Sequence, residues 1–471
     1  MLFSSLEFLL LFLPITAVIY FIIPKCIKNY WLLVVSLIFY AWGEPKFVFI
    51  MSGSIAFNYG AAILVEKYRS ESRRKKAVLI ISVVFNLGLL FIFKYLNFTT
   101  EIFHGLFSKI PVTKIVLPIG ISFFTFQAMS YVIDVYRGIP AQHNICFLGL
   151  YISFFPQLIA GPIVRYTTVM DEINNRTVTT DDFSYGIKRF IIGFNKKILL
   201  ANITAEVADA AFASGQLSVC MAWLGLIAYT LQIYFDFSAY SDMAIGLGRM
   251  FGFRFLENFN YPLISKSITE FWRRWHISLG TWFRDYVYIP LGGSRVKSAA
   301  RRYFNLAVVW MLTGIWHGAN FTFIFWGMLH GAVIIIEKLT GAPERSEKSE
   351  AAAVLGHIYT LFVVMLGWMM FRSDNFHVLW GYMKAFFGIG ASAFSDSQFA
   401  FYVREYAVVL IAAALCATPI FKNLGEKISA SGERQAAIRD CAGWFVNIAL
   451  FAVSVSFLIM NSYNPFIYFN F

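Results

Sequence analysis

The sequence predicts an all-α polytopic membrane protein, and three observations carry that prediction. Of 471 residues, 58% are hydrophobic and only 14% are charged, against roughly 45–50% and about 25% in soluble domains. The mean hydropathy is +0.63. The apolar residues also gather into runs approaching the about 20 residues that a helix needs to cross the hydrocarbon core. No long polar block remains to build a soluble enzyme on a membrane tail. Disorder and a disulfide scaffold are excluded as well. The expectation is one integral membrane domain over residues 1–471.

In chain order, the apolar runs fall near 8–23, 31–42, 47–65, 77–93, 115–132, 145–164, 221–235, 237–253, 303–336, 354–371, 406–421 and 444–460. No basic residue precedes the first run, so it reads as an uncleaved span rather than a signal peptide. Several runs are short and read as tilted or re-entrant. The total suggests about 11–13 membrane helices. No internal repeat is visible.

The 39 Lys and Arg exceed the 27 Asp and Glu, for a net charge of +12. These basic residues sit in short loops, so topology and anionic lipid explain them better than nucleic acid. The loop 66–76 carries six Lys/Arg and reads as cytoplasmic, as do 266–302 with eight and 422–441. Both termini are then extracytoplasmic. Residues 344–350 read as an exposed linker. The five cysteines (Cys26, Cys146, Cys220, Cys416, Cys441) are scattered without a CxxC, which argues against a zinc site or a disulfide framework.

Residues 183–201 repeat Ile187, Phe190, Ile191, Phe194 and Ile198 at helical spacing, with Lys188, Arg189, Lys196 and Lys197 among them. This pattern predicts an interfacial amphipathic helix. It fits lipid anchoring, and it also fits docking of an anionic donor or carrier protein.

Ionisable groups within apolar runs are costly, so they are functional candidates. Four places qualify. The run 303–336 holds no Asp, Glu, Lys or Arg. As one helix it would be about 51 Å long, against a hydrocarbon core of about 30 Å. It must break, and Gly318, Ala319 and Asn320 are the natural place. His317 lies at that break, beside Trp316. With an unperturbed pKa near 6.5, such a histidine can act as general base. It can equally be a core histidine satisfied by a carbonyl. His330, in the same run, reads as structural.

The second place is 270–286, where Phe271, Trp272, Trp275, His276, Leu279, Trp282, Phe283 and Tyr286 follow helical spacing. An aromatic amphipathic helix is expected, with Arg273 and Arg274 off the stripe and His276 on it. That imidazole needs a polar partner, because an unpaired buried one costs about 1–3 kcal/mol. Packing and an active-site role both fit. Third, Asp236 and Asp242 lie in apolar surroundings, about 120° apart around a helix. They read as carboxylates pairing with neighbouring helices or orienting a histidine. Fourth, Asp134 and Arg137 read as a local ion pair. No Walker loop, G-x-S-x-G elbow or HExxH is present.

Several of these stretches together resemble the membrane-bound O-acyltransferase family. The resemblance is carried by Asn258-Phe-Asn-Tyr-Pro, Phe271-Trp-Arg-Arg-Trp-His276-Ile-Ser-Leu, Trp282-Phe-Arg-Asp-Tyr286 and Gly314-Ile-Trp-His-Gly318. It also rests on Phe235-Asp-Phe-Ser-Ala-Tyr-Ser-Asp-Met-Ala-Ile-Gly246, Phe155-Pro-Gln-Leu-Ile-Ala-Gly-Pro162, Tyr131-Val-Ile-Asp-Val-Tyr-Arg137 and Asn464-Pro-Phe-Ile-Tyr-Phe-Asn-Phe471. Tyr286-Val-Tyr-Ile-Pro-Leu-Gly-Gly-Ser294 favours the bacterial polysaccharide O-acetyltransferase branch, of the alginate type.

The resemblance implies a ring of membrane helices around a thinned central active site, in a bacterial inner membrane. It implies His317 as the catalytic histidine and His276 as the second family histidine. Trp316, Asn320, Trp272, Trp275, Arg273, Arg274 and Asp242 then shape the site or bind substrate. No bound cofactor or metal is implied. The acyl donor is a co-substrate, acetyl-coenzyme A or a carrier-bound thioester. Implied partners are membrane lipids, a polysaccharide acceptor, an extracytoplasmic protein similar to SGNH hydrolases and a cytoplasmic acyl carrier. D-alanyl transfer to teichoic acid is the alternative within the family. A polysaccharide or lipid transporter without covalent chemistry is the alternative outside it.

Overall fold

Helices of bilayer length dominate the chain. The computed structural model describes residues 1–346, 348–460, 463, 464, 466 and 467. Among the described residues there is no β-strand, and seven helices are long and apolar enough to cross a membrane. These are Phe47–Lys67, Ser72–Leu106, Val219–Met250, Phe321–Thr340, Glu350–Arg372, Ser397–Cys416 and Glu433–Met460. Shorter helices, Lys28–Gly43, Ile121–Arg137 and Ala299–His317, stand beside them with the apolar stretch Phe8–Ile22. In Ser397–Cys416 and Glu433–Met460 the protein buries only 6% of the apolar window. Val408, Ile411, Phe445 and Met460 point outward there. Water would penalise that surface by roughly 25 cal/mol per Å², whereas lipid solvates it. The chain is a multi-pass, all-α membrane protein.

Two compact units organise it. The first comprises Met1–Phe190 and Ser241–Leu256, the second Ile191–Tyr240 and Glu257–Phe471. In the first, polar side chains tie apolar helices together. Asn86 Nδ2 donates to Asn58 Oδ1 at 2.8 Å, and Asn58 Nδ2 donates back to Asn86 Oδ1 at 3.2 Å. This reciprocal amide pair joins Phe47–Lys67 to Ser72–Leu90, the kind of contact that holds helices together in lipid. Arg189 binds Asp242 through Nη2 at 2.6 Å and Nε at 2.9 Å. Arg137 and Asp134 form the expected local pair at 3.7 Å.

Three expectations change in the structure. The runs 221–235 and 237–253 form one helix, Val219–Met250, with 72% of its apolar window buried. The helix passes through Asp236 because Lys197 neutralises that carboxylate at 2.6 Å. The run 145–164 is two short helices, Ile145–Ser153 and Phe155–Leu158. They part at Phe154, just ahead of Pro156, which a helix interior does not tolerate. Finally, the amphipathic helix expected over 183–201 is present but longer than its pattern. The helix Thr180–Asn195 continues through a π turn, Lys196–Ala201, into Asn202–Ala213. Arg189 and Lys197 are taken up by carboxylates rather than left for headgroups.

The long run 303–336 breaks where expected, into Ala299–His317 and Phe321–Thr340. Gly318 is extended, and Asn320 caps the second helix by accepting from the Thr322 backbone N–H at 3.1 Å. The two helices then pack backbone against backbone. A Cβ on Gly314 would lie 2.4 Å from the Phe323 carbonyl oxygen, and one on Gly327 2.4 Å from that of Trp310. Such close approach between membrane helices requires small residues. It fixes His317 at the tip of a rigid hairpin. Of the C-terminal motif, Pro465 and residues 468–471 lie outside the described residues, as does Glu347 of the expected linker.

Candidate active site

His317 is half-buried at the end of its helix and enclosed by aromatic rings. Its ring centroid lies 5.0 Å from Trp316, 4.9 Å from Trp326 and 5.2 Å from Phe371, each edge-on. It opens on a narrow cavity of about 20 Å³, bounded also by Ile233, Asp236, Phe237, Trp275 and Trp368.

Two wider spaces share walls with this cavity. Phe371 and Ile467 also line a polar cavity of about 290 Å³, together with Asp209, Gln232, Asn320, Arg372 and Asp374. Arg372 Nη2 donates to Asp209 at 2.7 Å. Arg372 Nε and Gln232 Oε1, by contrast, are buried with no partner. Both atoms belong to residues that line the polar cavity. On another side, Trp275 also lines an apolar cavity of about 550 Å³. Trp272, Leu279, Phe283, Val309 and Trp310 contribute to its walls, and Arg273, Arg284 and Lys338 add positive charge.

His276 corrects the expected single helix. Ile268–Arg274 and Ile277–Phe283 are separate, followed by a π turn over Arg284–Tyr288. His276 sits between them in a left-handed conformation, φ 45°, which a non-glycine residue adopts at a cost of roughly 1–3 kcal/mol. Asn258 holds it there. Asn258 Oδ1 lies 3.2 Å from His276 Nδ1, and it accepts from the Ser278 backbone N–H at 3.1 Å and the Ser278 hydroxyl at 2.9 Å. The backbone donor identifies that atom as the amide oxygen. His276 therefore carries its proton on Nδ1, and its Nε2 lone pair is buried without a partner. Burial pushes the His276 pKa down to about 3. The group is neutral at any physiological pH.

The sequence model of MBOAT, the membrane-bound O-acyltransferase family, matches residues 54–371. The chain belongs to the membrane-bound O-acyltransferase family. It is 41% identical to a probable alginate O-acetylase of Pseudomonas putida, over the full length of both chains. It is 45% identical to that of Pseudomonas aeruginosa, covering 84% of this chain and 76% of the relative. It is 32% identical to a peptidoglycan O-acetyltransferase of Helicobacter pylori, covering 100% and 98%.

Within this acyltransferase, the second unit brings together most of the residues singled out in the sequence. Trp316 lies beside both histidines, 6.2 Å from His276 and 5.0 Å from His317. Trp275 lines two cavities, and Asn320 lines the polar one. Trp272 donates its indole N–H to His330 Nδ1 at 3.3 Å, which gives His330 the structural partner expected of it. Arg273 faces the apolar cavity. Arg274 instead binds Glu270 at 2.8 Å and the Asn260 carbonyl at 3.2 Å. Asp242 belongs to the first unit, where Arg189 occupies its carboxylate.

Sequence reasoning passed over Trp326, Trp368, Gln232 and Arg372, and read Asn258 only as part of a motif. It also missed Glu337, whose carboxylate accepts from the backbone N–H groups of Ile268 and Thr269 at 2.6 and 2.8 Å. An acid ending an apolar helix was the available signal for Glu337. The others become visible only through partners far away in sequence.

Proposed function

We propose that this acyltransferase moves an acetyl group from a cytoplasmic thioester to a hydroxyl of an extracytoplasmic polysaccharide, or of a partner protein that serves it, in a bacterial inner membrane. One observation carries the reading: the narrow cavity at His317 shares walls with a polar cavity on one side and a basic-edged apolar cavity on another. The apolar cavity suits the arm of a donor such as acetyl-coenzyme A or an acylated carrier. Arg273, Arg284 and Lys338 suit its phosphates. They belong to or adjoin the segment 266–302, whose positive charge favours the cytoplasmic face. Gln232, Arg372 and Asp374 suit a hydroxyl-rich acceptor.

In the reaction, His317 takes the acceptor hydroxyl proton as the oxygen attacks the acyl carbonyl. The tetrahedral centre collapses, the carbon–sulfur bond breaks, and the proton passes from His317 to the departing thiolate. His276, neutral and held by Asn258, positions the wall around Trp316 and Phe237 rather than carrying protons. The alginate and peptidoglycan O-acetylase names of the relatives support acetyl transfer to a polysaccharide. They favour it over D-alanyl transfer and over transport without covalent chemistry. An SGNH-like partner on the acceptor side is part of the same proposal.

The deciding experiment replaces His317 with Ala and with Gln and measures ester content of the cell-surface polysaccharide at matched protein level. Loss of acetyl esters is expected. Normal ester content in both variants would overturn the assignment.

A further inference from the structure

The apolar cavity of about 550 Å³ takes its walls from separate helices. Thr269, Trp272 and Arg273 line it from Ile268–Arg274, and Ile334 and Lys338 line it from Phe321–Thr340. The first of these helices has seven residues, too few to hold its own place through backbone bonds alone. Tertiary contacts must fix it. Its position bears on the reaction, because it runs directly into Trp275, which lines both this cavity and the narrow one at His317.

Glu337 supplies the main anchor. It sits in the last turn of Phe321–Thr340 and is 1% exposed. Its Oε1 accepts from the Ile268 backbone N–H at 2.6 Å. Its Oε2 accepts from the Thr269 backbone N–H at 2.8 Å and from the Thr269 hydroxyl at 2.7 Å. An acid buried at the end of an apolar helix is costly, which marks it as a functional candidate. The stretch it grips is also pinned by Glu350–Arg372. His357 Nδ1 donates to the Ser265 carbonyl at 3.1 Å, and a Cβ on Gly356 would lie 2.6 Å from the Lys266 carbonyl oxygen. Residues 265–269 are thus held between two helices. Glu337 lies about 24 Å along its helix from Phe321, at the far end of the hairpin from His317. It does not touch the reacting atoms and acts through the wall it holds.

We propose that Glu337 is a positioning residue for the thioester. By clamping residues 268 and 269 to Phe321–Thr340, it fixes the width of the apolar cavity and so the register in which the donor arm reaches toward His317. The proposal rests on the acyl-transfer reading above and adds to it the residue that sets the geometry of the donor side.

The test uses cell envelopes carrying the full chain with its native partners, supplied with radiolabelled acetyl-coenzyme A and added polymer, each varied in turn. Ester-linked label on polymer is counted, and unfolding temperature is measured on each variant in detergent. Glu337→Leu removes both acceptor oxygens. It should lower kcat/KM for acetyl-coenzyme A about 100-fold, the scale of a misplacement of about 1 Å. Glu337→Gln keeps the size and one acceptor, which guards against a misfolded leucine variant. It should raise KM for acetyl-coenzyme A roughly 10-fold, the scale of one lost hydrogen bond to a charged group, and leave KM for the polymer unchanged. Glu206 is the structural control. It binds the Tyr406 hydroxyl at 2.6 Å, joining Asn202–Ala213 to Ser397–Cys416. Glu206→Gln should lower the unfolding temperature without moving KM for acetyl-coenzyme A. A wild-type KM for acetyl-coenzyme A in Glu337→Gln would overturn the proposal. So would equal rises in both KM values, or the same rise in Glu206→Gln. No acetyl transfer by wild type would instead overturn the acyl-transfer reading.

Discussion

The ammonium of Lys197 lies 2.6 Å from the carboxylate of Asp236, and the two side chains are only 4% and 3% exposed. The second carboxylate oxygen accepts from the Ile467 backbone N–H at 2.9 Å. This pair lets one long helix carry an acid past the His317 cavity, whose wall Asp236 forms. Removing either partner leaves the other charge buried and uncompensated. Asp236→Asn or Lys197→Met alone should cost roughly 3–5 kcal/mol, read as a lower unfolding temperature in detergent. The double variant should recover much of that loss, because no charge is left unpaired. Simple addition of the two single losses would contradict a coupled pair.

The acceptor side makes a kinetic prediction. Gln232 Oε1 is buried in the polar cavity wall and unused, so a hydroxyl donor from the acceptor would complete it. Gln232→Leu removes the acceptor atom at similar volume. A lost hydrogen bond of about 1 kcal/mol should raise KM for the acceptor roughly 5-fold and leave KM for the thioester unchanged. If the donor KM moved instead, the two cavities would have to exchange roles.

His276 makes a pH prediction. Its pKa is pushed down to about 3 in the fold, against about 6.5 in an unfolded chain. Between these values the unfolded state binds the proton and the folded state does not. The stability contributed by the neutral group is therefore complete above about pH 6.5 and declines as pH falls toward 3. The slope well inside that window is ~1.4 kcal/mol per pH unit. His276→Gln lacks the titrating group. Its unfolding midpoint should fall less steeply than that of wild type between pH 6 and pH 5, and parallel slopes would refute the assignment.

How much of this was readable in advance follows from the range of the interactions. The break at His317 was legible because it is local: a charge-free run too long for the bilayer, with Gly318 and Asn320 at its middle. Asn320 indeed caps the next helix. The helix interruption at His276 was not legible. The aromatic stripe from Phe271 to Tyr286 keeps helical spacing throughout, and the turn is held by Asn258, an amide 18 residues upstream. The same holds for Lys197, which reads as a basic residue on an amphipathic surface until Asp236 is placed beside it. Periodicity reports which face is apolar. It does not report which distant carboxylate or amide will claim a polar group.

The hairpin that presents His317 yields the last prediction, and it needs no assumption about substrate. A Cβ at Gly314 would sit 2.4 Å from the Phe323 carbonyl oxygen and 3.2 Å from the Ile324 Cα. Both are backbone atoms, so no side chain can swing aside. Gly314→Ala must push the two helices apart, at a cost of about 1–3 kcal/mol for overpacking. Because His317 is one helical turn away, the displacement also moves the imidazole against Trp326 and Phe371. Lower stability and lower turnover should appear together. Gly60 is the matched control. It too lies inside a membrane helix, Phe47–Lys67, but a Cβ there meets nothing within 4 Å. Gly60→Ala should leave activity intact and stabilise by about 0.5–1 kcal/mol through helix propensity. If both substitutions proved equally harmless, the close backbone packing at Gly314 would not be what positions the histidine.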